Sequence, residues 1–151
     1  MATQNMMFTK ILVGLDGSQR EPGILKQAIE IADRLGGRLY LCRAMQIPMS
    51  IPAVAWSLAG DDFEKFLREH GRAALDRLAA ALPEGLVAEK CVELGQPGDV
   101  ICRVATERQI DLVVIGSHGY DGVDRLLGTT AAKVVNRAPC SVMVVRQRDL
   151  D

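Results

Sequence analysis

The residues best suited to chemistry form a glycine-rich segment, GSHGYDGVDRLLGTT, at positions 116–130. Gly116 and Gly119 follow an apolar run, and Gly128 directly precedes Thr129 in a stretch with helical spacing. Glycines let backbone amides approach an anion closely, and a helix N-terminus adds unpaired N–H groups and a positive dipole end. The segment therefore predicts a phosphate-binding loop, although glycines that only form tight turns would give the same pattern.

Polar side chains add further donors to this glycine-rich segment. Thr129 and Thr130 carry hydroxyls, while Ser117 and His118 lie between the first two glycines. His118 could donate to a phosphate or simply face solvent. The segment lacks the lysine of a P-loop, because no G-x-x-x-x-G-K-[ST] is present. Lys133 follows nearby and could face phosphate, but a solvated lysine is the simpler expectation.

A second candidate is Asp16, which follows another apolar run in the sequence Asp-Gly-Ser. A carboxylate at the end of a strand can accept hydrogen bonds from ribose hydroxyls. It can equally act as a turn or cap residue. Ser18 and Glu21 have the spacing of a capping box, but Pro22 suits the first position of a helix, so we expect the helix to begin near Pro22.

Five apolar runs, separated by helical patterns, must position these residues. The runs predict strands at 10–16, 37–45, 87–94, 111–117 and 141–146, and the patterns predict helices at about 22–35, 61–82, 98–109 and 127–137. This alternation predicts an α/β fold: a single doubly wound, five-stranded parallel sheet with about four helices in three α/β/α layers. Ligands of such sheets bind beyond the carboxyl ends of the strands, where the glycine-rich segment and Asp16 would meet.

Two parts of the chain between the second and third strands are ambiguous. Residues 46–60 contain two prolines and no period, which predicts a long loop that is either functional or a cover for apolar surface. The helix at 61–82 carries an apolar stripe of Phe63, Phe66, Leu67, Ala74, Leu75 and Leu78. His70 falls within that stripe and is expected to pack in the core or at an interface.

Composition narrows the class of protein. The 151 residues are 48% hydrophobic, which predicts one domain, 1–151, with a sizeable core. Lys and Arg number 18 against 19 Asp and Glu, so no broad surface for nucleic acid or an anionic membrane is expected. The four cysteines form no C-x-x-C pair, and no apolar run is long enough for a signal peptide or membrane span. These features predict a soluble, cytoplasmic protein.

An ordered set of segments resembles the universal stress protein family across nearly the whole chain. They are ILVGLDGS, LGQPGDVI, DLVVIGSHG, the glycine-rich segment and APCSVMVVR. The glycine-rich segment is similar to the family motif G-x-x-G, nine residues, G-[ST], but only eight residues, 120–127, separate Gly119 from Gly128. We expect these eight to absorb the deletion, because shifting the helix start by one residue would rotate its apolar face by ~100°, exposing Val134 and burying Lys133.

The resemblance implies a fold like that of the adenine nucleotide alpha hydrolases and a bound adenine nucleotide. The implied ligand is ATP, with AMP and ADP as alternatives, together with Mg²⁺. Asp16 would lie near the ribose and adenine, and the backbone of Ala44 would contact adenine. Gly116, Gly119, Gly128 and Thr129 match the phosphate positions. The resemblance also implies a homodimer formed through the last strand, which its apolar sequence independently favours.

The sequence favours a nucleotide-dependent sensor or regulator in the stress response over an enzyme. No nucleophile elbow, metal-ligand motif or paired-carboxylate site is present, and neither His70 nor His118 has a visible catalytic partner. Slow ATP hydrolysis stays open, because Asp16 or Asp121 could hold a magnesium-bound phosphate. A nucleotide-free dimeric interaction protein and an adenylate-transferring enzyme on a similar sheet are the two alternatives.

Overall fold

The computed structural model describes residues 7–46, 53–117 and 127–146, and of residues 53–60 only the helical backbone. Five strands span Lys10–Gly14 (β1), Arg38–Met45 (β2), Val87–Leu94 (β3), Leu112–Gly116 (β4) and Ser141–Val145 (β5). Four helices span Glu21–Leu35 (α1), Ala53–Ala80 (α2), Pro97–Glu107 (α3) and Thr129–Arg137 (α4). None of these described helices is long and apolar enough to cross a membrane.

The strands form one parallel sheet in the order β3-β2-β1-β4-β5. The chain moves outward from β1 through β2 to β3, then returns to β4 on the other side of β1. Ile11, Leu12 and Val13 of β1 and Val113 and Val114 of β4 are fully buried, as expected for central strands covered on both faces. The predicted doubly wound α/β fold is confirmed, and the strand order reverses between β1 and β4.

Two separate cores cover the two faces of the sheet. On one face, Ile11 and Leu41 pack with Ile24 of α1 and Leu75 of α2. The other face packs against the remaining two helices, through Leu12, Cys42, Val113, Val100, Val104 and Val134. Helices α1 and α2 thus form one outer layer and α3 and α4 the other, in the three-layer arrangement that the sequence predicts.

Helix α2 is longer than the sequence predicts. It begins at Ala53 rather than near Asp61 and runs for 28 residues, so the prediction that 46–60 is a loop is wrong for 53–60. Residues 47–52 lie outside the described ranges. The segment AVAWSLAG has no polar–apolar period, but Ala and Leu are strong helix formers and extend the helix without one.

The orientation of α2 also differs from the predicted stripe. Leu67 and Leu75 point inward with 8% and 0% exposure, whereas Phe66 is 59% exposed. His70 is exposed and stacks on Phe66, with 6.1 Å between ring centroids. The prediction of a core histidine is therefore wrong, because the helix turns Leu67 and Leu75 to the sheet and His70 away from it. An interface role for His70 stays a prediction.

Candidate functional site

A cleft of about 630 Å³ opens at the carboxyl edge of the sheet, where β1 and β4 lie side by side. Its walls come from the ends of β1, β2 and β4 and from the first turns of α3 and α4. The volume lies within the range of small-molecule sites, and the position is the switch point where open α/β sheets bind ligands. The fold therefore brings together these five chain segments and Ile24 of α1.

One side of the cleft is the N-terminus of α4. Gly128 is the N-cap, and its carbonyl accepts a hydrogen bond from the N–H of Ala132 at 2.9 Å. Thr129, Thr130 and Gly116 line the cleft. Because the first N–H groups of a helix have no intrahelical acceptors, this turn offers donors and a positive dipole end to an anion.

The register of α4 agrees with the prediction that the one-residue deletion before Gly128 does not shift the start of the helix. Val134 is fully buried, and Lys133 keeps its ammonium at the surface, where its Nζ lies 3.1 Å from Oδ1 of Asp99. The stem of Lys133 packs on Gly98, where an added Cβ would lie 2.7 Å from Cδ of the lysine. Lys133 therefore ties α4 to α3.

A second set of residues that line the cleft is apolar. Ala44 and Cys42 at the end of β2 line it together with Ile24, Ile101 and Ile115. Burial raises the pKa of the Cys42 thiol to about 12, so the group stays protonated at neutral pH and packs as a small apolar residue. Sequence reasoning identified Ala44 but missed the three isoleucines. Their only signal was that Ile115 lies near the end of a predicted strand and that the other two lie in helices that follow strand ends.

Asp16 lies exposed at the rim of the cleft, in the loop between β1 and α1. Its Oδ1 accepts a hydrogen bond from the backbone N–H of Ser18 at 2.9 Å, and Gly17 has a φ of 77°. The turn role considered for Asp16 is therefore present. This turn also sets the direction of the carboxylate beside the cleft, so a turn role does not compete with ligand binding.

Ser18 and Glu21 have capping-box spacing but form no capping box, and α1 begins at Glu21, next to Pro22 as expected. Arg20 is the N-cap of α1, and Oγ of Ser18 accepts from its N–H at 3.2 Å. Glu21 is buried at 7% exposure, and its Oε2 accepts from the N–H of Gly17 at 2.6 Å and from Nη2 of Arg43 at 2.8 Å. Sequence analysis missed Arg43, because a buried ion pair between distant segments leaves no local pattern.

The remaining predicted site residues are only partly placed. Ser117 is not among the residues lining the cleft, and its backbone N–H donates to the carbonyl of Val145 at 3.1 Å. His118 and Gly119 lie outside the described residues, as does the segment 120–126. Within the described ranges, no group of three or more His, Cys, Asp or Glu side chains could hold a metal ion.

Comparison with protein-family models gives a match over residues 7–146, to the model described as the universal stress protein family. A curated relative, universal stress protein A homolog 2 of Coxiella burnetii, is 31% identical over 141 residues. The alignment covers 92% of this chain and 95% of the relative.

Solved structures give the same picture. The universal stress protein UspA from Lactobacillus plantarum is similar with a TM-score of 0.72 and 25% identity, covering 92% of this chain and 98% of that one. A universal stress protein solved in complex with cAMP is similar with a TM-score of 0.63 and 27% identity, covering 93% and 98%.

Proposed function

Because the chain belongs to the universal stress protein family, we propose that it binds an adenine nucleotide, in the first instance ATP, in the cleft between β1 and β4. The observation that carries the proposal is the cleft itself, whose lining combines apolar side chains with a helix N-terminus. A purine base needs the first and phosphates need the second. A structural relative in complex with cAMP, itself an adenine nucleotide, supports the same ligand class.

The cleft suggests how the ligand is arranged. Adenine would lie against Ala44 and Ile101, the ribose beside Asp16, and the phosphates at Gly128 and Thr129. Mg²⁺ would be carried by the phosphates, since magnesium keeps several waters and often uses substrate oxygens as ligands. Gly119 and His118 belong to the proposed phosphate side through the family motif.

We further propose that the chain works by binding rather than by catalysis, as a nucleotide-dependent regulator in stress response. One lining side chain supports this: burial keeps the Cys42 thiol protonated, and a cysteine acts as a nucleophile only as its thiolate. A regulator needs only that its bound and empty states differ in partner affinity. The four free thiols are consistent with the cytoplasm as its compartment.

ATP with Mg²⁺ should raise the melting temperature of the purified protein, and GTP should raise it less. A ligand that binds only the native state stabilises it by about 2.7 kcal/mol at a hundred times its dissociation constant. The shift is measured by differential scanning fluorimetry with ATP, ADP, AMP, cAMP and GTP at equal concentrations. Equal shifts with ATP and GTP would show that the site reads phosphate but not adenine, and no shift with any adenine nucleotide would refute the proposal.

The uncharged sequence of edge strand β5 supports a homodimer. The same homodimer would be expected of a nucleotide-free interaction protein of this fold. Both β3 and β5 are edge strands of the sheet. β3 carries Glu89, Lys90 and Glu93, with Glu89 paired to Arg108 and Lys90 paired to Asp76. β5, SVMVV, carries no charge. Charged side chains protect edges from pairing, so we propose that two chains associate through β5.

Met143→Lys is the substitution that should dissociate this dimer. Met143 is 38% exposed on β5, whereas Val144 packs partly against the core and would report on folding as well. Two lysines facing each other across a two-fold interface repel, and each loses apolar contact. Light scattering at micromolar concentration should show a dimer for the wild type and the control Leu35→Lys, and a monomer for Met143→Lys. A monomeric wild type would exclude the interface.

A further inference from the structure

We propose that Arg43 and Glu21 are positioning residues that hold the loop 16–20 in the conformation presenting Asp16 to the cleft, an inference that rests on the proposed nucleotide site for its effect on affinity. Neither side chain is among the residues that line the cleft. They act from the other face of the sheet, because Arg43 alternates along β2 with Cys42 and Ala44, which do line it.

The contacts run in an unbroken line from Arg43 to Asp16. Nη2 of Arg43 donates to Oε2 of Glu21 at 2.8 Å, and the same oxygen accepts the N–H of Gly17 at 2.6 Å. Gly17 is directly bonded to Asp16, whose carboxylate accepts from Ser18. The guanidinium also lies under the loop, since a Cβ at Gly17 would be 3.5 Å from Nη2 of Arg43.

The burial of this ion pair argues that it specifies a conformation rather than adding stability. The Arg43 and Glu21 side chains are only 11% and 10% exposed, whereas the Lys90 and Asp76 side chains of the ion pair at β3 are 29% and 49% exposed. Nε of Arg43 is buried without a hydrogen-bond partner among the described residues. Desolvating two charges and leaving one donor unmet is unfavourable, and apolar residues of similar volume would serve stability as well or better.

The gain from the pair is a fixed position for the Gly17 amide. Gly17 has a φ of 77°, a left-handed conformation that few residues other than glycine adopt. A glycine whose N–H is not hydrogen-bonded samples many other backbone conformations. With the Gly17 N–H fastened to Glu21, the carboxylate of Asp16 keeps one direction. A preorganised acceptor binds a ribose hydroxyl without a further entropic cost of ordering the loop.

The test is the double variant Glu21→Ala/Arg43→Met, which removes both charges together and leaves neither one buried alone. Glu89→Ala/Arg108→Met removes the pair at the β3 edge and serves as the matched control. Two properties are measured for each: hydrogen exchange of the Gly17 amide without ligand, and ATP affinity by calorimetric titration. Each double variant is also made in an Asp16→Ala background, so that coupling to Asp16 is read from a cycle.

We expect Gly17 exchange to rise and ATP affinity to fall about tenfold in Glu21→Ala/Arg43→Met, with neither change in the control. In the Asp16→Ala background the same double variant should cost no further affinity. Unchanged Gly17 exchange would overturn the inference whether or not ATP binds. Equal losses with and without Asp16 would also overturn it, since the pair would then act on the fold generally. A wild type that binds no ATP but shows the exchange effect would refute the proposed function and leave the loop support established.

Discussion

Gly128→Val is expected to reduce ATP affinity by at least about 100-fold, a loss of about 2.7 kcal/mol of binding free energy. Gly128 is the N-cap of α4; it is not itself among the residues that line the cleft, but Thr129, the next residue, is, and the phosphates are proposed to lie there. A phosphate held by backbone N–H groups needs close approach of the main chain, and two methyl groups on Cβ would occupy that space. The loss should appear for ATP, ADP and AMP alike, because all of them carry the α-phosphate.

The fold of Gly128→Val should survive, which makes the test informative. Gly128 has φ −63° and ψ 165°, an extended conformation that valine adopts readily. Circular dichroism and urea unfolding should show native helix content and a loss of about 1 kcal/mol from the poorer N-cap. Gly128→Ala should lie between the wild type and Gly128→Val in affinity. A folded Gly128→Val protein that binds ATP normally would mean that the phosphates lie elsewhere.

Leu41→Ala should destabilise the protein by about 2–5 kcal/mol, a large part of the stability of a domain of this size. Leu41 is fully buried in β2, in the core formed with α1 and α2, and removing its side chain leaves a cavity that the packed sheet cannot close. The same strand carries Cys42 and Ala44, which line the cleft. Urea unfolding of the wild type and the variant at the same protein concentration measures the change while keeping the concentration-dependent contribution of association equal.

Leu35→Ala is the control for this substitution. Leu35 ends α1 and is 42% exposed, so the same chemical change should alter the free energy of unfolding by no more than about 0.5 kcal/mol. Similar losses for the two variants would show that Leu41 is not packed as described. The two variants together show how much of the free energy of unfolding depends on the core beneath the site.

The fold was predictable from sequence because its signals are local. An apolar run such as LVVIG at 112–116 can be satisfied only by burial on both faces, and turns or prolines separate each run from the next helix. The glycine-rich segment was readable for a related reason. Only a close approach of backbone to ligand, or a tight turn, needs glycines and a helix start at such spacing.

Two sequence predictions, for residues 53–60 and for His70, were wrong because the local sequence signals there are weak. Residues 53–60 extend α2 because Ala and Leu favour helix by intrinsic propensity, which leaves no period for sequence analysis to detect. His70 has helical spacing with apolar residues, but spacing fixes only its place on the helix. Which face turns to the sheet depends on how Leu67 and Leu75 fit against it.

The sequence by itself determined the class of the sheet, its element order and the candidate positions of Asp16, Ala44 and Gly128, because each depends on residues adjacent in the chain. Only the tertiary structure decided that Ala44 and Gly116 share one cleft with Ile101, and that Glu21 meets Arg43 instead of capping its own helix. The physical reason is that such contacts join segments separated by tens of residues. Their formation depends on the packing of the whole sheet, which no local pattern encodes.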